Sequence, residues 1–288
     1  PPSPPLSGLV WTSAVWTSGP GTTAGLDVSS VANGWQKWSG ITEMGGKLYA
    51  MYNRGTVKKM LVYDLATVAV SAADISCVSG DSDWLKPYTD SGSPAFGGIV
   101  AYNGKIYGVP SANHRMLVYD AATVTASGVS TSALVAASVD TARWAGAIVH
   151  GGKIYAPPFG QHSVKILVFD IATNAVSGVD TTSVEADIAD PKWKGFAAHG
   201  GKLYSAPFAQ TKILVFDTAT GGVSGVATSS LGMSGSGKWS GTAVFAGVVY
   251  AAPYRATKML AYDIAASAVT GIDVGSVAGG KGWVDPVA

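Results

Sequence analysis

The chain is poor in charge, in cysteine and in long apolar runs. Only 13% of its 288 residues are charged, and Lys+Arg 19 stand against Asp+Glu 18. That balance leaves no surplus of cations to displace counterions from a phosphate backbone, which argues against generic nucleic-acid binding. The single cysteine, Cys77, excludes an intrachain disulfide and a cysteine-based zinc site. It fits a reducing compartment, and equally a large secreted domain that needs no covalent staple. The most apolar stretch, Thr242 to Ala252, falls far short of a membrane span, so no membrane insertion is expected. The opening Pro1-Pro2-Ser3-Pro4-Pro5 has neither a basic region nor an apolar one, so no signal peptide is expected there. Apolar residues and glycine are plentiful, at 47% and 37 residues. That composition argues against long disorder, and the length suffices for a sizeable core.

One phrase recurs along the chain. Gly-Lys-Ile/Leu-Tyr leads, through a variable stretch and a basic residue, to Ile/Met-Leu-Val-Tyr/Phe-Asp-x-Ala-Thr. Its tyrosines are Tyr49, Tyr107, Tyr155, Tyr204 and Tyr250, and its aspartates Asp64, Asp120, Asp170, Asp217 and Asp263. An aromatic-x-Gly precedes each copy, at Trp38, Phe96, Trp144, Trp193 and Trp239. Each unit reads as four strands. The first starts after the aromatic-x-Gly and ends at Gly-Gly or Asn-Gly, which suit two-residue hairpins with positive φ at both positions. The third is a consecutive apolar run, which implies burial on both faces. The Asp-x-Ala-Thr after it is turn chemistry. Four-stranded units of this length predict an all-β fold, a β-propeller of four-stranded antiparallel blades.

The ends supply a sixth unit. Ala14-Val15-Trp16 aligns with Leu167-Val168-Phe169, Gly25-Leu26-Asp27 with Gly178-Val179-Asp180, and Gly282-Trp283-Val284 with the opening of a first strand. The expectation is a six-bladed ring. Blades start near 38, 96, 144, 193 and 239, and a composite blade is formed by 283–288 plus 8–37. A three-stranded composite blade and a count of five are the alternatives, because only Leu9-Val10-Trp11 is available for its second strand. Residues 1–7 read as a Pro-rich linker in extended polyproline form. Their Ser-Pro run is similar to the spacers of plant and algal wall glycoproteins, which implies one module of a longer extracellular chain.

The phrase resembles the kelch class of propeller repeats, where a Gly-x-Ile-Tyr strand precedes a Val-x-x-Tyr-Asp-x-x-Thr strand. The resemblance covers nearly the whole chain through short motifs. It departs at Ala156-Pro157-Pro158, Ala206-Pro207 and Ala252-Pro253, where kelch repeats carry a Gly-Gly pair. A diverged kelch-like protein is implied, and with it a binding scaffold.

In a propeller the links into each first strand share a rim with the loops between strands two and three. Two residue sets are expected to converge there. One is Lys37-Trp38, Arg143-Trp144, Lys192-Trp193 and Lys238-Trp239, with Trp283; the other holds Tyr52, Phe159, Phe208 and Tyr254. Flat rings stack on sugars or planar ligands, and Lys and Arg hold carboxylates or sulfates. Each Trp has a second reading, as the packing between one blade and the next. The expected partner is a glycan or a neighbouring protein, and the expected setting extracellular or at the cell surface.

Catalysis finds less support. A polysaccharide lyase would need a Tyr or His base beside a cation, and His114-Arg115 and Tyr254-Arg255 have that chemistry. Glycoside hydrolysis needs two facing carboxylates, and acids near this rim are mainly Asp81, Asp83, Asp90, Asp140, Asp187 and Asp190. The four histidines fall on opposite rims, so no metal site is expected. No cofactor fingerprint is present. A non-catalytic binding or structural module is the leading expectation, with a lyase-type enzyme or a fibre or wall building block as alternatives.

Overall fold

A computed structural model describes residues 27–31, 38–52, 58–78, 95–134, 142–160, 163–186 and 191–275. These form five four-stranded antiparallel sheets, each a meander with its strands in chain order. The first holds β1 (Trp38–Met44), β2 (Lys47–Tyr52), β3 (Lys59–Asp64) and β4 (Ala69–Asp74). The second holds β5 (Phe96–Tyr102), β6 (Lys105–Pro110), β7 (Arg115–Asp120) and β8 (Thr125–Ser130). The third holds β9 (Ile148–His150), β10 (Lys153–Ala156), β11 (Lys165–Asp170) and β12 (Val176–Asp180). The fourth holds β13 (Ala197–His199), β14 (Lys202–Ser205), β15 (Lys212–Asp217) and β16 (Val223–Ala227). The fifth holds β17 (Trp239–Phe245), β18 (Val248–Pro253), β19 (Lys258–Asp263) and β20 (Ala268–Asp273). Among the described residues no helix is long and apolar enough to cross a membrane.

Among the described residues the core is split into four clusters, one at each boundary between consecutive sheets. This explains the unbroken apolar run of the third strands. Successive strand residues point to opposite faces. Leu167 and Phe169 enter the boundary before their sheet, and Ile166 and Val168 the boundary after it. The repeated tyrosine of the second strand crosses each boundary to an aromatic ring of the next sheet's third strand. Tyr155 meets Phe216 at 5.6 Å, and Tyr107 meets Phe169 at 5.8 Å. At the two ends of the series, Tyr63 and Tyr250 are only half-buried, whereas their counterparts are buried.

The hairpins between first and second strands follow the sequence expectation. Asn103-Gly104 and Gly151-Gly152 both hold positive φ at the two central positions. In three sheets the aromatic-x-Gly marker lies inside the first strand, at Trp38, Phe96 and Trp239, whereas at Trp144 and Trp193 it stands ahead of β9 and β13, each Trp pairing singly with Pro158 or Pro207. Trp38 pairs with Tyr52 and Trp239 with Pro253, and the ladder slips at the residue between Ser39 and Ile41, and between Ser240 and Thr242. That residue is a glycine at φ 71° or 75°, a bulge that an L side chain rarely adopts. At Gly146 the need is also spatial, because a Cβ there would stand 2.6 Å from the Gly195 Cα. Bare backbone thus meets bare backbone where the innermost strands approach, and Gly146 N–H donates to Gly97 O at 2.7 Å.

A turn follows each fourth strand. In Asp180–Val184 the Thr182 N–H donates to Asp180 Oδ1 at 2.8 Å and Val184 N–H to Thr181 O at 2.9 Å. Asp27–Val31 repeats this turn. Ser29 N–H donates to Asp27 Oδ1 at 2.8 Å, Val31 N–H donates to Val28 O at 3.0 Å, and Val31 is buried as Val184 is. The other segments assigned to the composite blade, including Trp16 and Trp283, lie outside the described residues.

Candidate functional site

The meander order puts the loops between second and third strands on one rim, together with the links into each first strand. The two kinds of hairpin occupy the other rim. On the loop rim, Phe159, Phe208 and Tyr254 stand at the same offset after the second-strand tyrosines Tyr155, Tyr204 and Tyr250, each following a proline. The structure brings these three together. Phe159 and Phe208 meet at 5.2 Å with planes inclined 68°, and Phe208 and Tyr254 at 5.5 Å and 43°. The Arg255 guanidinium lies 5.8 Å from the Tyr254 ring centre. All three rings are half-buried and Arg255 is exposed, so an aromatic row with a cation at one end spans three sheets.

A continuous backbone seam holds this row. Phe159 N–H donates to Arg143 O at 2.8 Å, and Lys192 N–H donates to Phe159 O at 2.7 Å. Phe208 N–H then donates to Lys192 O at 2.8 Å, Lys238 N–H to Phe208 O at 2.7 Å, and Tyr254 N–H to Lys238 O at 2.9 Å. Ring-bearing and cation-bearing residues thus alternate along one hydrogen-bonded line that crosses from sheet to sheet.

The cations themselves turn inward. Arg143, Lys192 and Lys238 are 1%, 0% and 3% exposed. Arg143 Nη1 donates to Ala112 O at 3.2 Å and Asn113 O at 2.9 Å, in the loop of the preceding sheet. Its Nη2 lies 3.1 Å from His114 Nε2. A guanidinium has no acceptor, so this imidazole nitrogen accepts and the ring proton sits on Nδ1. Lys238 Nζ likewise donates to Ala209 O at 2.7 Å, in the preceding sheet's loop, and to Gly235 O at 3.0 Å. Arg143 and Lys238 thus each clamp the loop of the preceding sheet, which in the case of Lys238 carries Phe208. They do not face an outside ligand.

The tryptophans follow the packing reading. Trp144, Trp193 and Trp239 are fully buried, and their indole N–H groups donate at 2.8, 2.8 and 2.9 Å to the carbonyls of Lys165, Lys212 and Lys258. No ring face is left for stacking a ligand, which corrects the expectation that the Arg143-Trp144, Lys192-Trp193 and Lys238-Trp239 pairs line an open rim. Trp38 differs: it is half-buried and meets Tyr52 edge-on at 5.8 Å. Tyr52 stands apart from the row, because it pairs opposite Trp38 as Pro253 does opposite Trp239. Lys37, Trp283, His162 and the acids Asp81, Asp83, Asp90, Asp140, Asp187 and Asp190 lie outside the described residues. Among the described residues no group of three His, Cys, Asp or Glu could hold a metal ion.

The opposite rim is built from repeated turns. Asp64, Asp120, Asp170 and Asp217 each accept backbone N–H groups two and three residues on. These bonds, the one from the Thr three residues on foremost, hold all four carboxyls below the ordinary aspartate range. Lys47, Lys105 and Lys153 add ion pairs at 3.6, 3.6 and 3.8 Å. The two Val residues of these turns, Val68 and Val124, sit at φ 57° and 55°, where the equivalent residues are Asn174, Gly221 and Ser267.

No protein-family model matches the chain, and no curated protein matches its sequence. Solved structures do. A nidogen/laminin complex is similar with a TM-score of 0.54 at 12% identity, over 83% of this chain and 81% of that one. A streptogramin B lyase is similar with a TM-score of 0.59 at 11% identity, over 83% and 69%. The extracellular domain of a putative one-component system from B. thetaiotaomicron gives 0.52 at 8% identity, over 83% of this chain and 29% of that one. At such identities the likeness is one of fold alone. The neighbours are β-propeller-type folds, and the five four-stranded sheets match them. The sheets are accordingly called blades below. The kelch resemblance remains one of short motifs.

Proposed function

We propose that the chain is a non-catalytic binding module of an extracellular or cell-surface protein, acting through the loop rim. The observation that carries this reading is the row Phe159–Phe208–Tyr254, three half-buried rings from three blades, fixed by the backbone seam. Rigid aromatic side chains flanked by arginine are the residue types that dominate binding energy at interfaces. A pre-formed row loses little freedom on binding. The solved structures similar in fold include a protein complex and an extracellular domain, which agrees with a binding role in that setting.

The non-catalytic part rests on His114. Its Nε2 accepts from the buried Arg143, so the nitrogen needed for a general base is already engaged. The ring is proposed to hold six blades. Supporting this are the sixth copy of the post-strand turn at Asp27–Val31 and the half-buried Tyr63 and Tyr250 at the ends of the five-sheet series.

An array carrying extracellular protein fragments and glycans tests the rim. Binding by the wild-type chain that Phe208→Ala and Phe159→Ala abolish, with thermal unfolding kept close to wild type, supports the reading. Binding untouched by either substitution refutes it. Conversion of any bound polymer to product refutes the non-catalytic assignment.

A further inference from the structure

The chemistry of the row distinguishes between ligand classes. Rings inclined at 68° and 43° offer no common plane, whereas a run of sugar rings stacks on a flat platform. Sugar hydroxyls also need donors and acceptors. The backbone N–H groups of Phe159, Phe208 and Tyr254 are all engaged in the seam, and the carbonyls of Phe159 and Phe208 each accept a bond there. Among the described residues, the row itself presents the outer surface of three touching, half-buried rings, the Tyr254 hydroxyl and the exposed Arg255 guanidinium. An uneven apolar surface of this kind packs against branched or aromatic side chains. A guanidinium resting on a ring face keeps its planar fork for a carboxylate. No carboxylate pairs with Arg255 among the described residues.

We infer that the occupant of this rim is a protein segment in which a carboxylate side chain lies close to an apolar one. The carboxylate seats on Arg255 and the apolar side chain packs over the outer surface of Phe159, Phe208 and Tyr254. The inference rests on the rim being a binding surface. It goes further in choosing protein over glycan and in assigning Arg255 as the residue that sets charge preference.

The test pans a display library of random-sequence peptides on the immobilised chain. Enriched sequences are synthesised with a fluorescent label, each as a Glu or Asp form and its Gln or Asn counterpart, and measured by polarisation. The expected result is enrichment of carboxylates beside apolar residues. Loss of the carboxylate should weaken binding about tenfold, the scale of one charge-assisted hydrogen-bonded pair. Arg255→Gln should erase the difference between the two forms, and Phe208→Ala should abolish binding of both. Enrichment without acidic residues, or no enrichment above background, overturns the inference. Equal binding of both forms that Phe208→Ala still abolishes overturns the charge assignment while the rim reading stands. Peptide binding that survives Phe208→Ala overturns both. A glycan captured on the array and lost in Phe208→Ala, with no peptide selected, replaces the protein partner with a sugar one.

Discussion

The two rims of this molecule are made from the same repeats and yet differ. On the hairpin rim the blades are near copies: in four of them an Asp accepts two backbone N–H groups and a Lys lies across from it, and a two-residue turn joins the first two strands. On the loop rim the blades diverge. Three carry a ring of the row, one carries Ser111 at the equivalent offset, and Arg143 replaces the buried lysine of its neighbours. Local turn chemistry holds the hairpin rim, and each turn there is complete within its own blade. The loop rim is held across blades, by a seam and by cations that reach into the preceding loop. Variation can accumulate where the backbone, not the side chain, supplies the link.

Breaking the cross-blade links should cost far more than touching the hairpin rim. Trp193→Ala removes a fully enclosed ring and orphans the Lys212 carbonyl. A loss of about 4 kcal/mol in unfolding free energy is expected from denaturant titration. Gly146→Ala places a Cβ 2.6 Å from the Gly195 Cα at a φ of 85°, so strain and overpacking combine. A loss of about 3 kcal/mol should follow, measured in the same way.

On the hairpin rim the effects shrink and one changes sign. Val124 is 69% exposed and holds a left-handed backbone that a branched side chain resists. Val124→Asn should stabilise the chain by about 1 kcal/mol, seen as a higher midpoint of thermal unfolding. A fall in that midpoint would show that the Val side chain itself makes a contact worth keeping.

The smallest effect is a pH dependence. Asp64, Asp120, Asp170 and Asp217 have folded-state values below the ordinary range. Their contribution is therefore present above the unfolded value, about 4, and is lost as pH falls below it through the folded values. Stability followed by urea titration should drop in that acid window, and Asp170→Asn should make the drop shallower. An unchanged acid profile in that variant would mean that its Thr173 bonds contribute equally to the unfolded chain.

Much of the hairpin rim was legible in the sequence because its determinants are local. Gly151-Gly152 and Asp170 act within a few residues of themselves, so a short motif carries the whole instruction. The third strands were legible for a related reason: a run such as Ile166-Leu167-Val168-Phe169 tells of burial on both faces, and the structure shows those faces to be two neighbouring boundaries. The loop rim was half legible. Phe159, Phe208 and Tyr254 share an offset, which already places them on one rim. Tyr52 was grouped with them only because it is aromatic, and counting from Tyr49 puts it instead at the proline position. The inward turn of Arg143 and Lys238 had no local sign. The carbonyls they meet across the blade boundary belong to Asn113 and Ala209, about thirty residues earlier in the chain, and a basic residue beside Trp looks the same whether it faces water or carbonyls. The burial of Trp144 and Trp193 was one of two readings, and only the third-strand carbonyl beneath each indole decides it.

The contact of Gly146 with Gly195 has a consequence for how such a molecule could grow. Where naked main chain touches naked main chain, the spacing between neighbouring first strands is set by the thickness of the polypeptide. Spreading those strands to admit a further repeat would pull these surfaces apart, leaving a gap that no existing side chain fills. A larger ring would therefore call for bulkier residues at those inner positions as well as one more repeat.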